Sequence, residues 1–181
     1  MVQSRTTSPV STIYKRLLLQ ERIMGIYPGK KILLFVLLLA GMMISCDSNR
    51  IFEENFEVEN GVWKANRRLK FDVTISNIAL RYNVYLNVRN STIYPYSNLY
   101  LFLNTKYPDG KISRDTLELT LADYDGRWLG SGMGDIKFSR FLLQKGVQFR
   151  QKGKYGFELE QAMRVSELQG LRDIGLRIEK E

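Results

Sequence analysis

Apolar and polar side chains alternate residue by residue in several short segments of this chain. Every second side chain is apolar in residues 69–75 (LKFDVTI), and the same period recurs in residues 82–89. Residues 99–103 (LYLFL) are apolar on both faces. Successive side chains of a β-strand point to opposite faces of the sheet, so a period of two predicts half-buried strands and an unbroken apolar segment predicts a central one.

Turn residues separate these segments. Residues 107–110 (YPDG) combine a proline, which fixes φ, with a glycine, which accepts positive φ, and therefore predict a hairpin. Shorter alternating segments lie at residues 56–58, 117–121, 136–138, 147–149, 155–159 and 174–178. About eight or nine short strands joined by turns predict an all-β fold, an antiparallel β-sandwich with jelly-roll-like connections. One short helix is predicted at residues 162–169, ended by Gly170.

An apolar segment near the N-terminus has a different character. No charged residue lies between Lys31 and Asp47, an interval of fifteen residues. A membrane-spanning helix needs about 20 apolar residues, whereas a shorter apolar segment behind a basic pair is typical of a secretory signal peptide. Lys30 and Lys31 supply that pair, so the sequence predicts that the chain is exported.

The predicted signal ends in Met43, Ile44, Ser45 and Cys46, which resembles the lipobox of bacterial lipoproteins with methionine in place of the usual leucine. In such sequences a diacylglycerol is attached to the cysteine thiol, cleavage follows between Ser45 and Cys46, and a further acyl chain such as palmitate joins the freed amine. Two or more acyl chains hold a protein stably at a membrane, which a single chain does not. The alternative is a free cysteine at the end of a short buried helix.

These features divide the chain into four segments. They are a polar extension that translation from Met24 would omit, a signal peptide, a lipidated tether and a β-sandwich domain, at residues 1–23, 24–45, 46–55 and 56–181. Five of the eight net positive charges precede Cys46, so nucleic acid is not an expected partner. The chain has no histidine, and its one cysteine is assigned to lipid. Disulfides, the common metal sites and cofactors are therefore not expected.

Residues 121–136 (LADYDGRWLGSGMGDI) form the most unusual predicted loop. Its aspartates Asp123, Asp125 and Asp135 supply the oxygen ligands that calcium prefers, although their spacing is not that of an EF-hand. Its glycines suggest a phosphate-binding loop, but no GK[ST] sequence follows, and two of the aspartates could form the acid pair of a glycoside hydrolase. The remaining interpretation is an ordered loop whose Trp128 packs against the sandwich.

Two further segments carry candidate binding residues. Tyr94 and Tyr96 flank a proline in a connection between strands, where exposed tyrosines would stack on a sugar or a partner protein and buried ones would fill the core. Residues 136–157 contain six lysines and arginines and no acid. Such a basic segment could bind anionic lipid or an acidic partner. A solvated strand face, or a sheet edge whose charges prevent pairing with other strands, has the same composition.

Several long motifs resemble those of one known family. They are CDSNRIFEENFE at residues 46–57, NGVW at 60–63, YNVYLNVRN at 82–90, YPYSNLYLF at 94–102, PDGKISRDTLE at 108–118, LAD at 121–123, GRWLGSGMGDI at 126–136, FELEQAMR at 157–164 and LRDIGLRIEK at 171–180. Together they extend from Cys46 to Lys180. On these motifs the chain resembles the gliding motility lipoprotein GldH family of Bacteroidetes.

The resemblance implies a lipid-anchored cell-envelope protein that is needed for gliding, a process linked to type IX secretion. It implies other gliding or secretion envelope proteins as partners, the acylated cysteine at Cys46, and no catalytic residues. In this phylum, an acidic run just after the lipidated cysteine resembles a signal for surface export. The segment after Cys46 has no such run. The outer membrane, with the domain facing the periplasm, is therefore expected, and the inner membrane, which Asp47 would favour under the proteobacterial rule, is the alternative.

A rival hypothesis belongs to another class of protein. A carbohydrate-binding lipoprotein would also use a β-sandwich and exposed aromatic residues. In that case Tyr94, Tyr96 and Trp128 would contact the glycan.

Overall fold

A computed structural model of the chain describes Leu33 and residues 47–181. Within this part of the chain there are ten β-strands and a short 3-10 turn at Glu59–Gly61. The strands are β1 (Arg50–Glu57), β2 (Val62–Lys64), β3 (Leu69–Ile75), β4 (Tyr82–Ser91), β5 (Asn98–Lys106), β6 (Ile112–Thr120), β7 (Ile136–Val147), β8 (Gly153–Gln161), β9 (Glu167–Gln169) and β10 (Leu171–Lys180).

Eight of the described strands form two four-stranded antiparallel sheets that pack face to face. Sheet A has the order β1-β10-β4-β7, sheet B has the order β3-β8-β5-β6, and β2 pairs with β9 in a small ribbon. Of the connections between these eight strands, that from β5 to β6 stays within one sheet and the others cross to the opposite sheet. This arrangement is a jelly roll, so the predicted antiparallel sandwich with jelly-roll-like connections is confirmed.

The core lies between the inner faces of the two sheets. In β3 the burial alternates strictly, with Leu69, Phe71, Val73 and Ile75 buried and the residues between them exposed. The inward-facing residues of β4, β5, β8 and β10 contribute most of the remaining core. Burying one such side chain stabilises the fold by roughly 1.5–3 kcal/mol. The period of two in the sequence therefore specifies the surfaces that hold the sheets together.

The predicted hairpin joins β5 to β6. The Tyr107 N–H donates to the Lys111 carbonyl (2.8 Å), and Gly110 closes the turn with a φ of +85°. Glycine takes this left-handed conformation without the steric cost that a Cβ would bring. The hairpin prediction is therefore confirmed, including its turn chemistry.

Residues 162–169, which we predicted to be helical, contain no helix. The Gln161 side chain donates to the Val165 carbonyl (2.7 Å) and accepts from the Met163 N–H (2.9 Å), which folds the segment into a turn. Leu168 then enters β9, where it is buried opposite Trp63 of β2. A side chain that satisfies nearby backbone groups competes with helical hydrogen bonds, and the burial of Leu168 favours the extended form.

The connections collect at the two ends of the sandwich. The N-terminal end, where β1 begins, also carries the connections at residues 76–81, 107–111 and 148–152. The Lys180 N–H donates to the Asn49 carbonyl (2.8 Å), and the Gln148 side chain donates to the Ile78 carbonyl (2.9 Å). Residues 50–55, which we predicted to belong to the tether, are part of β1 and pair with β10.

The opposite end, which we call the loop end, carries the connections at residues 58–68, 92–97, 121–135 and 162–170. The Ser91 N–H donates to the Gly170 carbonyl (2.8 Å), and the Thr92 N–H donates to the Asp135 carbonyl (2.7 Å). The tyrosine segment and the glycine-rich loop that the sequence singled out therefore lie side by side, at the end of the fold away from β1's first residue.

A polar network crosses the outer face of sheet A. Arg177 of β10 donates to Glu53 of β1 (2.7 Å) and to Glu179 (2.7 and 2.9 Å), and its side chain is 8% exposed. Asn87 of β4 donates to Glu53 (3.1 Å) and accepts from Arg140 of β7 (2.9 Å). The network thus joins all four strands of sheet A. Removing the charge of Glu53 would weaken its contacts with Arg177, Arg140 and Asn87 together, although Arg177 would keep Glu179 as a partner.

Glu53→Gln should lower the free energy of unfolding at pH 7 by about 1–3 kcal/mol, the usual cost of losing hydrogen bonds to a charged group. Burial by itself would raise the pKa of the Glu53 carboxyl, but donation from Arg50 and Arg177 outweighs burial and holds the pKa below its ordinary value of 4.5. A carboxyl whose pKa is lowered by folding stabilises the protein above its unfolded pKa, and this contribution is lost as the pH falls through the folded pKa.

Urea unfolding of the wild type and Glu53→Gln, at pH 7 and at a series of lower pH values, measures this effect. The difference in stability should be largest at pH 7 and should shrink below pH 4.5, the unfolded pKa. Glu57→Gln, at an exposed position of the same strand, is the matched control and should unfold like the wild type. A difference that does not change with pH would contradict the electrostatic explanation.

Candidate partner-binding surface

The side chain of Tyr94, which lies in the connection between β4 and β5, is buried in the core. Its hydroxyl donates to the Asn98 carbonyl (2.9 Å), and the residue is 3% exposed. Gly170 adopts a φ of +86°, and a Cβ there would lie 2.6 Å from the Cα of Tyr94, so glycine is needed where the two loops meet. Burial, with a smaller contribution from Tyr96, raises the pKa of Tyr94. Tyr94 therefore belongs to the core and not to the contact surface that we predicted for it.

Tyr96 and Trp128 pack around Tyr94. Their ring centroids lie 5.8 Å and 6.4 Å from that of Tyr94. Trp128 is half-buried against the core, which confirms the interpretation that it packs on the sandwich, and Tyr96 is exposed. The structure thus brings together three aromatic residues from two loops. Of these three residues, Tyr96 has the largest exposed fraction.

Arg127 organises the glycine-rich loop at residues 121–135. Its Nε donates to Asp123 (3.0 Å) and its Nη2 donates to Asp125 (2.9 Å). Asp123 also accepts the backbone N–H groups of Asp125 (3.0 Å) and Arg127 (2.8 Å). The two carboxylates share one guanidinium within the loop, and their hydrogen bonds fix its shape.

Asp135, the third aspartate considered for calcium, contacts the tyrosine segment through its main chain. Its carbonyl accepts the Thr92 N–H, as described above. Among the described residues, no group of three or more histidine, cysteine, aspartate or glutamate side chains is placed to hold a metal ion. A calcium site at these aspartates stays a prediction of the sequence alone.

Five large apolar side chains of the two loops face solvent, and we call them the loop patch. They are Ile93, Tyr96, Tyr124, Leu129 and Met133. Tyr124 and Met133 are almost fully exposed, at 95% and 97%. Isolated exposed apolar residues are normal, but these five lie on two neighbouring loops, so the loop end is the candidate surface for binding another protein.

Sequence reasoning found one member of the loop patch, Tyr96, and missed the other four. The signal was present, because Leu129 and Met133 alternate with glycines and serine in a loop where neither a strand nor a helix would bury them. Exposed apolar residues indicate a binding surface only in a loop of fixed conformation. The hydrogen bonds of Arg127 and Asp135 fix the conformation of this loop.

The predicted lipidation and cleavage residues, Cys46 and Ser45, lie outside the described residues. Their roles therefore stay predictions. Across the portion that is described, no helix has the length and apolar character needed to cross a membrane.

EDTA should leave the melting temperature of the protein unchanged, because Asp123 and Asp125 are already hydrogen-bonded to Arg127. Thermal unfolding followed by fluorescence, with EDTA or with added calcium, measures this directly. A calcium-dependent rise of several degrees that Asp135→Asn removes would establish the calcium site instead. Asp109→Asn, in the turn at the other end of the sandwich, is the control and should not change the response.

Comparison with known proteins supplies an independent test of the motifs. The family model described as GldH lipoprotein matches residues 50–178. The gliding motility lipoprotein GldH homolog of Christiangramia forsetii is 36% identical over 143 residues, which cover 75% of this chain and 87% of that protein. The gliding motility lipoprotein GldH of Flavobacterium johnsoniae is 35% identical over 154 residues, which cover 81% of this chain and 95% of that protein.

The matched region contains both large sheets and both loops that carry the loop patch. The resemblance seen in the sequence motifs is therefore confirmed over the whole folded domain. The chain belongs to the GldH lipoprotein family, whose members are lipid-anchored proteins of the cell envelope.

Proposed function

We propose that this chain is a non-catalytic lipoprotein required for gliding motility, which acts by binding other envelope components of the gliding or type IX secretion machinery. The names of both relatives refer to gliding motility and support this role. The observation that carries the proposal is the loop patch, a group of exposed apolar side chains on two ordered loops at one end of the sandwich.

The position of the loop patch suits a protein anchored by Cys46. That residue precedes β1 by four residues, so a lipid there would be attached at the N-terminal end of the sandwich. β4 runs from this end to the loop end and has 10 residues, which at about 3.3 Å per residue give a length of about 33 Å. The anchored domain would therefore present the loop patch to partners at a distance from the anchor.

We assign the anchor to the outer membrane, with the domain in the periplasm. The residues after Cys46 (Asp47, Ser48, Asn49 and Arg50) contain no acidic run of the kind expected to direct surface export. Partners in the periplasm would then meet the loop patch. Anchoring in the inner membrane is the alternative, and fractionation of the two membranes distinguishes them.

A non-catalytic role fits the chemistry of the loop end. The chain has no histidine, the residue most often used for proton transfer near neutral pH. Asp123 and Asp125, two of the aspartates considered for a catalytic acid pair, are engaged by Arg127. Binding is the function that the accessible groups support.

Deletion of the gene should abolish colony spreading and change the secreted protein profile, and the wild-type gene should restore both. Cys46→Ala should restore neither, because it removes the thiol to which the lipid is attached. An immunoblot should show this variant as an uncleaved precursor. If spreading and secretion both survive deletion, the machinery role fails; if Cys46→Ala matures to normal size, the lipobox prediction fails.

Replacing Leu129 and Met133 together by glutamate should abolish co-purification of gliding and secretion components with the protein, because charges cannot be buried in an apolar interface without cost. Quantitative mass spectrometry of the purified complexes measures the loss. Ile112→Glu, an equally large exposed apolar residue on β6, is the matched control and should retain the partners. All variants should melt at the wild-type temperature, since the substituted side chains are exposed.

A glycan array separates this role from carbohydrate binding. A machinery component should give no signal on the array. Binding of a glycan that Tyr96→Ala or Trp128→Ala removes, without loss of fold, would favour the carbohydrate-binding alternative.

A further inference from the structure

The sandwich is open along one side at its N-terminal end. A cleft of about 760 Å³ lies between β6 and β7, which are edge strands of sheets B and A. Buried core residues such as Leu103 and Phe157 form part of its wall. Leu117 of β6 and Leu143 of β7, which also line it, are half-buried. The core is therefore incompletely covered at this place.

The same side of the sandwich is closed at the loop end. There the glycine-rich loop at residues 121–135 passes from β6 to β7 and covers the gap. Ser131 of this loop forms an antiparallel bridge with Phe138 of β7, with hydrogen bonds of 2.9 Å and 2.6 Å. Leu119 and Leu121, next to the loop, are buried. The chain thus supplies its own cover for one half of the opening and leaves the other half uncovered.

The bridge shows how β7 accepts a neighbouring segment. Phe138 directs both its N–H and its C=O toward Ser131, on the side away from β4. Alternate residues of an antiparallel ladder direct these groups to the same side, so Arg140 and Leu142 direct theirs to the same edge. No described strand pairs with β7 along this edge. A row of unpaired backbone groups is a template for a further strand.

The cleft is lined by charged residues of both signs, Asp109, Lys111, Asp115 and Arg150, and the excess of positive charge lies in the segment that contains β7. Residues 136–157 contain six cations and no acid. Three of these cations are engaged within the fold, with Glu53, with Asp72 and with a backbone carbonyl. The other three, Lys145, Arg150 and Lys152, have no carboxylate within salt-bridge distance among the described residues, and Arg150 lines the cleft.

We infer that the free edge of β7, beyond Phe138, accepts an extended strand from a partner protein. The apolar side chains of that strand enter the cleft, and the alternate positions carry aspartate or glutamate. The strand continues sheet A and pairs with the backbone groups of Arg140 and Leu142. Strand addition takes its affinity from main-chain hydrogen bonds and its specificity from the pockets for alternate side chains.

The chemistry of the edge favours this occupant. The apolar face of the strand covers Leu117 and Leu143, as the chain's own loop covers the core at the other end. The acidic face, which points away from the cleft, brings carboxylates toward Lys145, an exposed residue of β7 that does not line the cleft. This site lies at the N-terminal end and is separate from the loop patch, so it goes beyond the proposed function and can fail without it.

Two short synthetic peptides serve as probes, one alternating valine with glutamate and the other alternating valine with lysine. The full-length protein in lipid nanodiscs is titrated with each fluorescent peptide, and hydrogen exchange of the backbone amides locates the binding. The glutamate peptide should bind and slow exchange in residues 140–147, and the lysine peptide should not bind.

Leu142→Pro removes one N–H from the free edge and should abolish binding, while the ladder with β4 stays intact because that N–H faces away from β4. Lys145→Glu should weaken the glutamate peptide up to about fivefold and strengthen binding of the lysine peptide. Lys64→Glu, in β2 at the loop end, is the control and should bind like the wild type. The charge reversal tests the proposal even if the proline variant does not fold.

Three results would overturn the inference. One is equal binding of the two peptides, or protection from exchange on a strand other than β7. Another is an acyl lipid that native mass spectrometry finds in the cleft and that excludes the peptides, which would make the cleft a lipid site. The last is self-association that protects residues 140–147 without peptide, which would assign the edge to a second copy of the chain.

Discussion

The pairing of the first strand with the last is the interaction on which the rest of the sandwich depends. β10 lies between β1 and β4 in sheet A, so one strand holds both neighbours. Its inward side chains Ile174, Leu176 and Ile178 are fully buried, and its outward Arg177 bonds to Glu53, 124 residues away in the sequence. Without β10, sheet A would lose these buried side chains and its link between β1 and β4. Among the described strands, β1 pairs only with β10.

Two features make this pairing specific. Gly175 lies opposite Asn55 in this ladder. A Cβ on residue 175 would lie 2.8 Å from the Glu54 carbonyl oxygen, so β1 packs closer to β10 than a larger residue at this position would permit. The charged network on the outer face would be disrupted by a slip of one residue, because every side chain of a strand would change face. Apolar burial supplies most of the stabilisation, and the network sets the register.

The jelly-roll order explains why the two ends of the molecule differ. It leaves β6 and β7 as edge strands on one side, with a long connection between them. This connection covers the side of the sandwich at the loop end. There Arg127 and the buried Tyr94 fix the shape of the loops, and the side chains of the loop patch face solvent. Near the N-terminus the same side has no such cover. The fold thus carries two different surfaces, one of exposed apolar loops and one of free strand edge.

The conclusions about function follow from these surfaces and from the family. Both named relatives are gliding motility lipoproteins, and the exposed side chains of the loop patch are the surface on which the proposed binding role rests. Ordered loops on a rigid sandwich present apolar side chains at low entropic cost, because the loops need not be fixed when the partner binds.

The sequence by itself determined the class of fold. Alternation in residues 69–75 and 82–89, and the turn at residues 107–110, are local properties of the chain, so they predicted strands, a hairpin and a sandwich correctly. The predicted export signal and lipobox at Cys46 are likewise local patterns, which stay predictions, and long motifs identified the family. Local pattern failed at residues 162–169, where the side chain of Gln161 and the burial of Leu168 overrode an apparent helix.

Only the tertiary structure decided which strands pair, which aromatic residue is buried and where the core is open. Tyr94 and Tyr96 are two residues apart in one motif, yet one lies in the core and the other faces solvent, because Gly170 and Trp128 from distant loops pack against the first. The cleft beside β7 arises from the order of strands in two sheets. These features depend on contacts between residues far apart in the chain, which periodicity and composition do not encode.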